Sequence, residues 1–166
     1  MAEQILRLAQ EIDLTRIAAL ARWVWLNSYA DSGVSTGVAR FVEHAFDPLL
    51  LGQSLRREPM WIIEVGEHLQ AWAELDSAAS PDNIELTRLY VAPPCCGRGL
   101  GARLLQHLRS THRQRAFWLS AWEGNVGALR FYRREGARLL GETWFELDGQ
   151  RHRNEVLGWP ALATQE

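Results

Sequence analysis

Between residues 89 and 101 the chain reads Leu-Tyr-Val-Ala-Pro-Pro-Cys-Cys-Gly-Arg-Gly-Leu-Gly, and this stretch restricts the fold more than any other. An apolar strand-like run leads into three glycines at alternate positions, and Leu100, Leu104, Leu105 and Leu108 then follow at helical spacing. Glycine takes positive φ without a steric penalty, so alternating glycines let backbone N–H groups converge on one point. A helix beginning there adds about half a positive charge. Strand, glycine loop and helix N-terminus in this order form a cradle for an anion. The same residues also fit a tight turn that needs glycine for its backbone angles alone. Arg98, inside the loop, favours the anion site.

The flanking sequence supplies elements of both kinds. Gln4 to Ala9 alternates apolar and polar residues and predicts a first strand. Asp13 is the expected N-cap of a helix from Leu14 to about Ser28, with Ile17, Ala18, Ala21, Val24 and Trp25 on one stripe, broken at Asp31-Ser-Gly33. Ser35 and Asp47-Pro48 predict caps for two further short helices. Met60–Val65 and His68–Leu75 form an expected hairpin around Gly66-Glu67, and Ile84–Ala92 is the next strand. After a helix over Gly97–Arg113 come a strand over Phe117–Trp122 and a helix over Val126–Glu135 ended by Gly136. A closing hairpin pairs Leu139–Leu147 with Arg153–Trp159 around Asp148-Gly149. The expectation is an α+β fold with a mixed, mostly antiparallel sheet, in one domain covering residues 1–166.

Gly97-x-Gly99-x-x-Ala102 also matches the dinucleotide-binding expression, with Glu123 near the place of a ribose-binding acid. Two features oppose that reading. A doubly wound fold buries the preceding strand on both faces, whereas Ile84–Val91 contains Glu85, Thr87 and Arg88. Its glycines should also follow the strand at once, and Pro93-Pro94-Cys95-Cys96 intervene.

Composition removes other classes. No apolar run approaches the ~20 residues that span a bilayer, and Glu3 and Glu11 stand where a targeting segment would be basic, so a soluble cytoplasmic protein without membrane partners is expected. Cys95 and Cys96 are adjacent and cannot staple distant segments, and no Cys/His spacing resembles a zinc site, so no metal is expected. Residues 1–86 carry 13 acids against 6 arginines, and residues 87–166 carry 7 against 12. There is no domain-wide basic excess to neutralise nucleic-acid phosphates. The opposite signs fit one half facing an anion and the other a cation, and equally fit chance drift of surface residues.

The stretch Glu85-Leu-Thr-Arg-Leu-Tyr-Val-Ala-Pro through Gly97-Arg-Gly-Leu-Gly-Ala-Arg-Leu-Leu105 resembles the acetyl-CoA motif of the GNAT superfamily of N-acetyltransferases, Gln/Arg-x-x-Gly-x-Gly/Ala. Asn125-x-x-Ala128-x-x-Phe131-Tyr132-x-x-x-Gly136 resembles the family's second cofactor motif, in the family's order and spacing. Two positions depart from the pattern: Cys96 holds the place of the usual Gln or Arg, and Ala137 follows the terminal glycine where Phe is common. Cys96 is expected to be a small buried thiol filling a turn. The resemblance implies a GNAT-like sheet with two splayed parallel strands and flanking helices, and acetyl-CoA as co-substrate. It implies that the backbone of Leu89, Tyr90 and Val91 pairs with the pantetheine arm. Gly97, Arg98, Gly99, Leu100, Gly101 and Ala102 then take the pyrophosphate, and Asn125, Ala128 and Phe131 flank the thiol end.

Acetyl transfer to an amine poses two proton problems. An alkylamine of pKa near ~10.4 must lose a proton before it attacks a thioester. Glu85, eleven residues before Cys96 as in the family's histone acetyltransferases, is the expected general base. The leaving thiolate needs a proton, and Tyr132 matches the family's general acid; the same residues also fit an exposed strand carboxylate at Glu85 and a core aromatic on an amphipathic helix at Tyr132. With a phenol near ~10 and a thiol near ~8.5 that transfer is uphill by only ~2 kcal/mol. Trp25 and Tyr29, four apart on the first long helix, are candidate acceptor-site residues and equally candidates for core packing. Together with Trp118-Leu-Ser-Ala-Trp-Glu-x-Asn125 they look most like the bacterial polyamine acetyltransferase branch. The expected acceptor is a small cationic amine. A peptide or protein amine and a non-catalytic acetyl-CoA-binding module are the alternatives, and Trp144 and Trp159 leave room for a homodimer.

Overall fold

The computed structural model describes residues 2–162. Seven strands form a mixed sheet: β1 (Gln4–Leu8), β2 (Trp61–Val65), β3 (His68–Asp76), β4 (Asn83–Val91), β5 (Ala116–Trp122), β6 (Arg138–Leu147) and β7 (Gln150–Trp159). Their order is β1-β2-β3-β4-β5-β7-β6. Five helices accompany them: α1 (Leu14–Tyr29), α2 (Thr36–Ala45), α3 (Pro48–Arg57), α4 (Leu100–Thr111) and α5 (Val126–Arg134). Two compact units divide the chain. One is Met1–Leu75 with Arg88–Leu105, and the other is Asp76–Thr87 with Gln106–Glu166.

In the first unit β1, β2 and β3 form an antiparallel meander, with Ile5 opposite Glu64 and Ile62 opposite Trp72. Both expected caps form: Ser35 Oγ accepts from the Val38 N–H at 3.1 Å, and Asp47 accepts from the Leu49 N–H at 2.8 Å with Pro48 following. The apolar stripe of α1 is buried through Ile17, Ala18, Ala21 and Trp25, and α1 packs on α2 and α3. Asp13 departs from expectation. It sits at the N-terminus of α1 in a helical backbone conformation and caps nothing there. Its fully buried carboxylate instead meets the guanidiniums of Arg7 and Arg16 and accepts from the Gln10 N–H.

In the second unit β4 and β5 run parallel, with Asn83 opposite Ala116, Ile84 opposite Phe117 and Glu85 opposite Trp118. The ladder ends there although β4 continues to Val91 and β5 to Trp122. β5, β7 and β6 follow in antiparallel pairing over a core of Phe117, Leu119, Leu129, Leu157 and Trp159. The last hairpin closes more tightly than expected. Asp148 at φ 54° and Gly149 at φ 72° make a two-residue turn, so β7 starts at Gln150. Trp159 is buried with its Nε1 donating to the Glu135 carbonyl, whereas Trp144 is 47% exposed under the guanidinium of Arg151.

Candidate active site

The glycine loop has the conformation its sequence demands. Pro93–Cys95 makes one tight turn, after which Gly97 and Gly99 adopt φ of +77° and +79°. These angles delay the helix, so α4 starts at Leu100 and not at Gly97. The Arg103 N–H bonds the Gly99 carbonyl at 2.9 Å, which makes Gly99 the last residue before α4. The N–H groups of Gly99, Leu100, Gly101 and Ala102 therefore have no partner within the helix. Leu100 is buried and anchors the start of α4, while Arg98 is exposed. A side chain built at Gly97 or Gly99 would meet no atom within 4 Å, so the space beside these two α-carbons is open. Amides without helical partners, the helix dipole and the open space beside Gly97 and Gly99 together suit a pyrophosphate.

Cys96 departs from the expectation of a buried thiol. Cys95 is buried and Cys96 exposed. The Cys96 thiol donates weakly to the carbonyls of Val91 and Ala92 at 3.8 and 3.7 Å. Burial, and secondarily Cys95, push its pKa above the ordinary thiol range, which disfavours the nucleophilic thiolate.

Leu89, Tyr90 and Val91 are half-buried at the end of β4, and the following Ala92 N–H bonds Gln70 of β3 at 2.8 Å. The Tyr90 side chain enters an aromatic cluster within the first unit. Its ring stands edge-on to Phe46 and Trp72, with centroids 6.1 and 5.6 Å away. Trp25 stacks on Tyr29 at 4.3 Å and on Phe41 at 4.5 Å. Burial, with a smaller contribution from Tyr90, pushes the Tyr29 phenol well above its ordinary value. Trp25 and Tyr29 thus do share a face, but Trp25 is only 6% exposed and its ring is sandwiched.

The cluster holds an ion pair that sequence reasoning missed. Arg88 of β4 meets the buried Glu74 of β3 at 2.5 Å, with its guanidinium 5.2 Å from the Phe46 ring centre and 6.0 Å from that of Trp72. A cation directly before the apolar run Leu89-Tyr90-Val91 was the available signal.

The second unit carries the other candidates. Glu85 is half-buried between the fully packed Ile84 and Leu86, opposite Trp118. Asn125 caps α5 through its Oδ1, which accepts from the Ala128 N–H at 3.3 Å. Tyr132 lies on the buried side of α5 at 8% exposure, its ring 5.2 Å from Phe131 and edge-on to Trp159 at 6.1 Å. Phe131 is half-buried beneath Arg134. Charge is evenly divided, since each unit contains 10 acids and 9 arginines. No helix among the described residues is long and apolar enough to cross a membrane.

The sequence pattern of the acetyltransferase (GNAT) family matches residues 14–137, and the chain belongs to that family. It is an N-acetyltransferase, an acyltransferase enzyme. A probable N-acetyltransferase of Mycobacterium tuberculosis is 30% identical over 163 residues, covering 87% of this chain and 86% of the relative. The spermine/spermidine N(1)-acetyltransferase of Bacillus subtilis is 32% identical over 76 residues, 43% of this chain and 50% of that protein. Among solved structures, the PaiA N-acetyltransferase of Thermoplasma acidophilum in complex with coenzyme A superposes with a TM-score of 0.77 at 20% identity, covering 92% of this chain and 98% of that one. That likeness, like the mixed sheet with its parallel pair, is a GNAT fold.

Proposed function

We propose that this chain, acting over residues 1–166 as one domain, moves an acetyl group from acetyl-CoA to a primary amine by direct attack. The observation that carries the reading is the glycine loop leading into α4, with Gly97 and Gly99 at positive φ and open space beside both. Its N–H groups and Arg98 hold the pyrophosphate, the backbone of Leu89 to Val91 takes the amide-bearing arm, and Asn125, Ala128 and Phe131 border the thiol end. Acetyl-CoA supplies an activated thioester when bound. Glu85 takes a proton from the amine nitrogen, directly or through water, and the Tyr132 hydroxyl returns one to the departing sulfur. The free cysteines fit a reducing, cytoplasmic setting, and the exposed Trp144 on β6 supports a homodimer contact.

The acceptor in this reading is a small cationic amine, with Trp25 and Tyr29 beside it. Its support is the partial likeness to the Bacillus subtilis spermine/spermidine enzyme. The charge split along the chain lends none, because the two units carry equal counts. Thiol release from acetyl-CoA, followed with spermidine, a monoamine and a peptide amine, tests both levels. Release with any amine establishes turnover, and spermidine is expected to give the highest kcat/KM. Equal or better use of the peptide overturns the acceptor, and cofactor binding without release overturns catalysis. In the same assay Tyr132→Phe should lower kcat by roughly 10²-fold with cofactor affinity intact. Glu85→Gln should remove or shift the acidic limb of the kcat/KM profile. Full kcat in Tyr132→Phe, with chemistry rate-limiting, removes the acid.

A further inference from the structure

We infer that Arg115 is the positioning residue for Glu85, a role that rests on the reading of Glu85 as general base. Arg115 immediately precedes β5, and one of its terminal nitrogens donates to three carbonyls at the entry to β4: Ser77 at 2.7 Å and Ser80 in the segment before the strand, and Asn83, its first residue, at 2.9 Å. The next residue repeats the grip through the backbone, since the Ala116 N–H bonds the Asp82 carbonyl at 2.9 Å. Within the same segment the Asp82 N–H bonds Ser80 Oγ at 3.2 Å. One planar guanidinium thus gathers the turn from Ser77 to Asn83 where β4 begins.

The parallel ladder explains why such a grip matters. β4 and β5 are paired only from Asn83–Ala116 to Glu85–Trp118, a short length in which to define register. Side chains alternate across a strand, so a slip of one residue turns every side chain to the other face. In the observed register Ile84 and Leu86 are 0% and 3% exposed on one face and Glu85 points away from them. A slip would drive the carboxylate into the packed face. Arg115 and Ala116 fix the loop to the first residue of β5, and the base then follows two residues after Asn83. The Arg115 Nε is buried without a hydrogen-bond partner, so the side chain is held by the carbonyls it donates to.

A double-mutant cycle with Glu85→Gln tests the inference. Arg115→Gln is expected to lower kcat by roughly 10- to 100-fold, as a base misplaced by about 1 Å would, with the KM for acetyl-CoA unchanged. If Arg115 acts through Glu85, the double variant is no slower than Glu85→Gln alone. Arg115→Lys keeps the charge and three donors, and a smaller loss than in Arg115→Gln is expected. If Arg115→Gln does not fold, the Lys variant carries the same cycle. Full kcat in Arg115→Gln, or losses that multiply in the double variant, would overturn the role. A silent Glu85→Gln refutes the base assignment by itself, and amide exchange then judges the clamp. Faster exchange at Ala116 and at Ile84 to Leu86 in Arg115→Gln, with α5 unaffected, supports it; unchanged exchange overturns it.

Discussion

Asp13 occupies a place where a carboxylate ordinarily caps a helix, and it does something else. The guanidiniums of Arg7 and Arg16 hold its carboxyl far below the usual carboxylate range, against the opposing effect of burial. Both arginines also reach Glu64, so Asp13, just before α1, and Glu64 of β2 share two cations. Removing one partner from a buried network leaves the others uncompensated, at a cost of about 3 kcal/mol or more. Asp13→Asn should therefore lower the urea midpoint at neutral pH. The pH dependence has a definite sign. A carboxyl whose folded pKa is depressed stabilises fully above its unfolded value near ~3.9 and loses that contribution as pH falls toward the folded value. Wild-type midpoints should fall from about pH 5 downward, and Asp13→Asn should fall less steeply over the same range. An unchanged midpoint and slope in the variant would remove Asp13 from the stability of the first unit.

At the scale of elements, the start of α4 shows how a local backbone requirement yields a candidate site. Gly99 has φ of +79° and faces open space, so both backbone and charge can be probed there. Gly99→Asn keeps a residue that tolerates the left-handed region and should leave acetyl-CoA binding within about 5-fold of wild type. Gly99→Asp sets a carboxylate against the proposed pyrophosphate position and should weaken binding by roughly 100-fold, less at high salt. Calorimetry on variants with intact helical dichroism checks both, and equal affinities would place the anion elsewhere. This loop was legible because its chemistry is short-range, as were the caps at Ser35 and Asp47. What the sequence hid is non-local. The ladder of β4 stops at Glu85, Arg115 turns back to Ser77, and Arg88 finds Glu74 across two strands. None of these follows from periodicity, since each partner is chosen by the packing of distant segments. Asp13 misled for the same reason: its carboxylate is taken by Arg7 of β1 and Arg16 of α1, not by the first N–H groups of the helix it precedes.

For the whole molecule, chain order is a poor guide to charge. Asp76–Thr87 joins the second unit and Arg88–Leu105 the first, so acids and arginines from the two halves are dealt across both. The same interleaving gives Cys95 and Cys96 a use as a chemical gauge. They are sequence neighbours in the first unit, yet one is buried and the other exposed. A disulfide reagent should titrate one thiol in the native protein and two in denaturant. The first should react slowly at neutral pH and faster as pH rises, because its pKa is raised. The second should react only when the first unit opens, at a rate set by the opening equilibrium. Acetyl-CoA bound beside the loop should shield Cys96 and, by mass action on the native state, also slow Cys95. Two equally fast thiols in the native protein would contradict the burial of Cys95. The adjacent thiols then serve as a built-in stopwatch, one hand reading occupancy of the loop and the other the breathing of the fold around it.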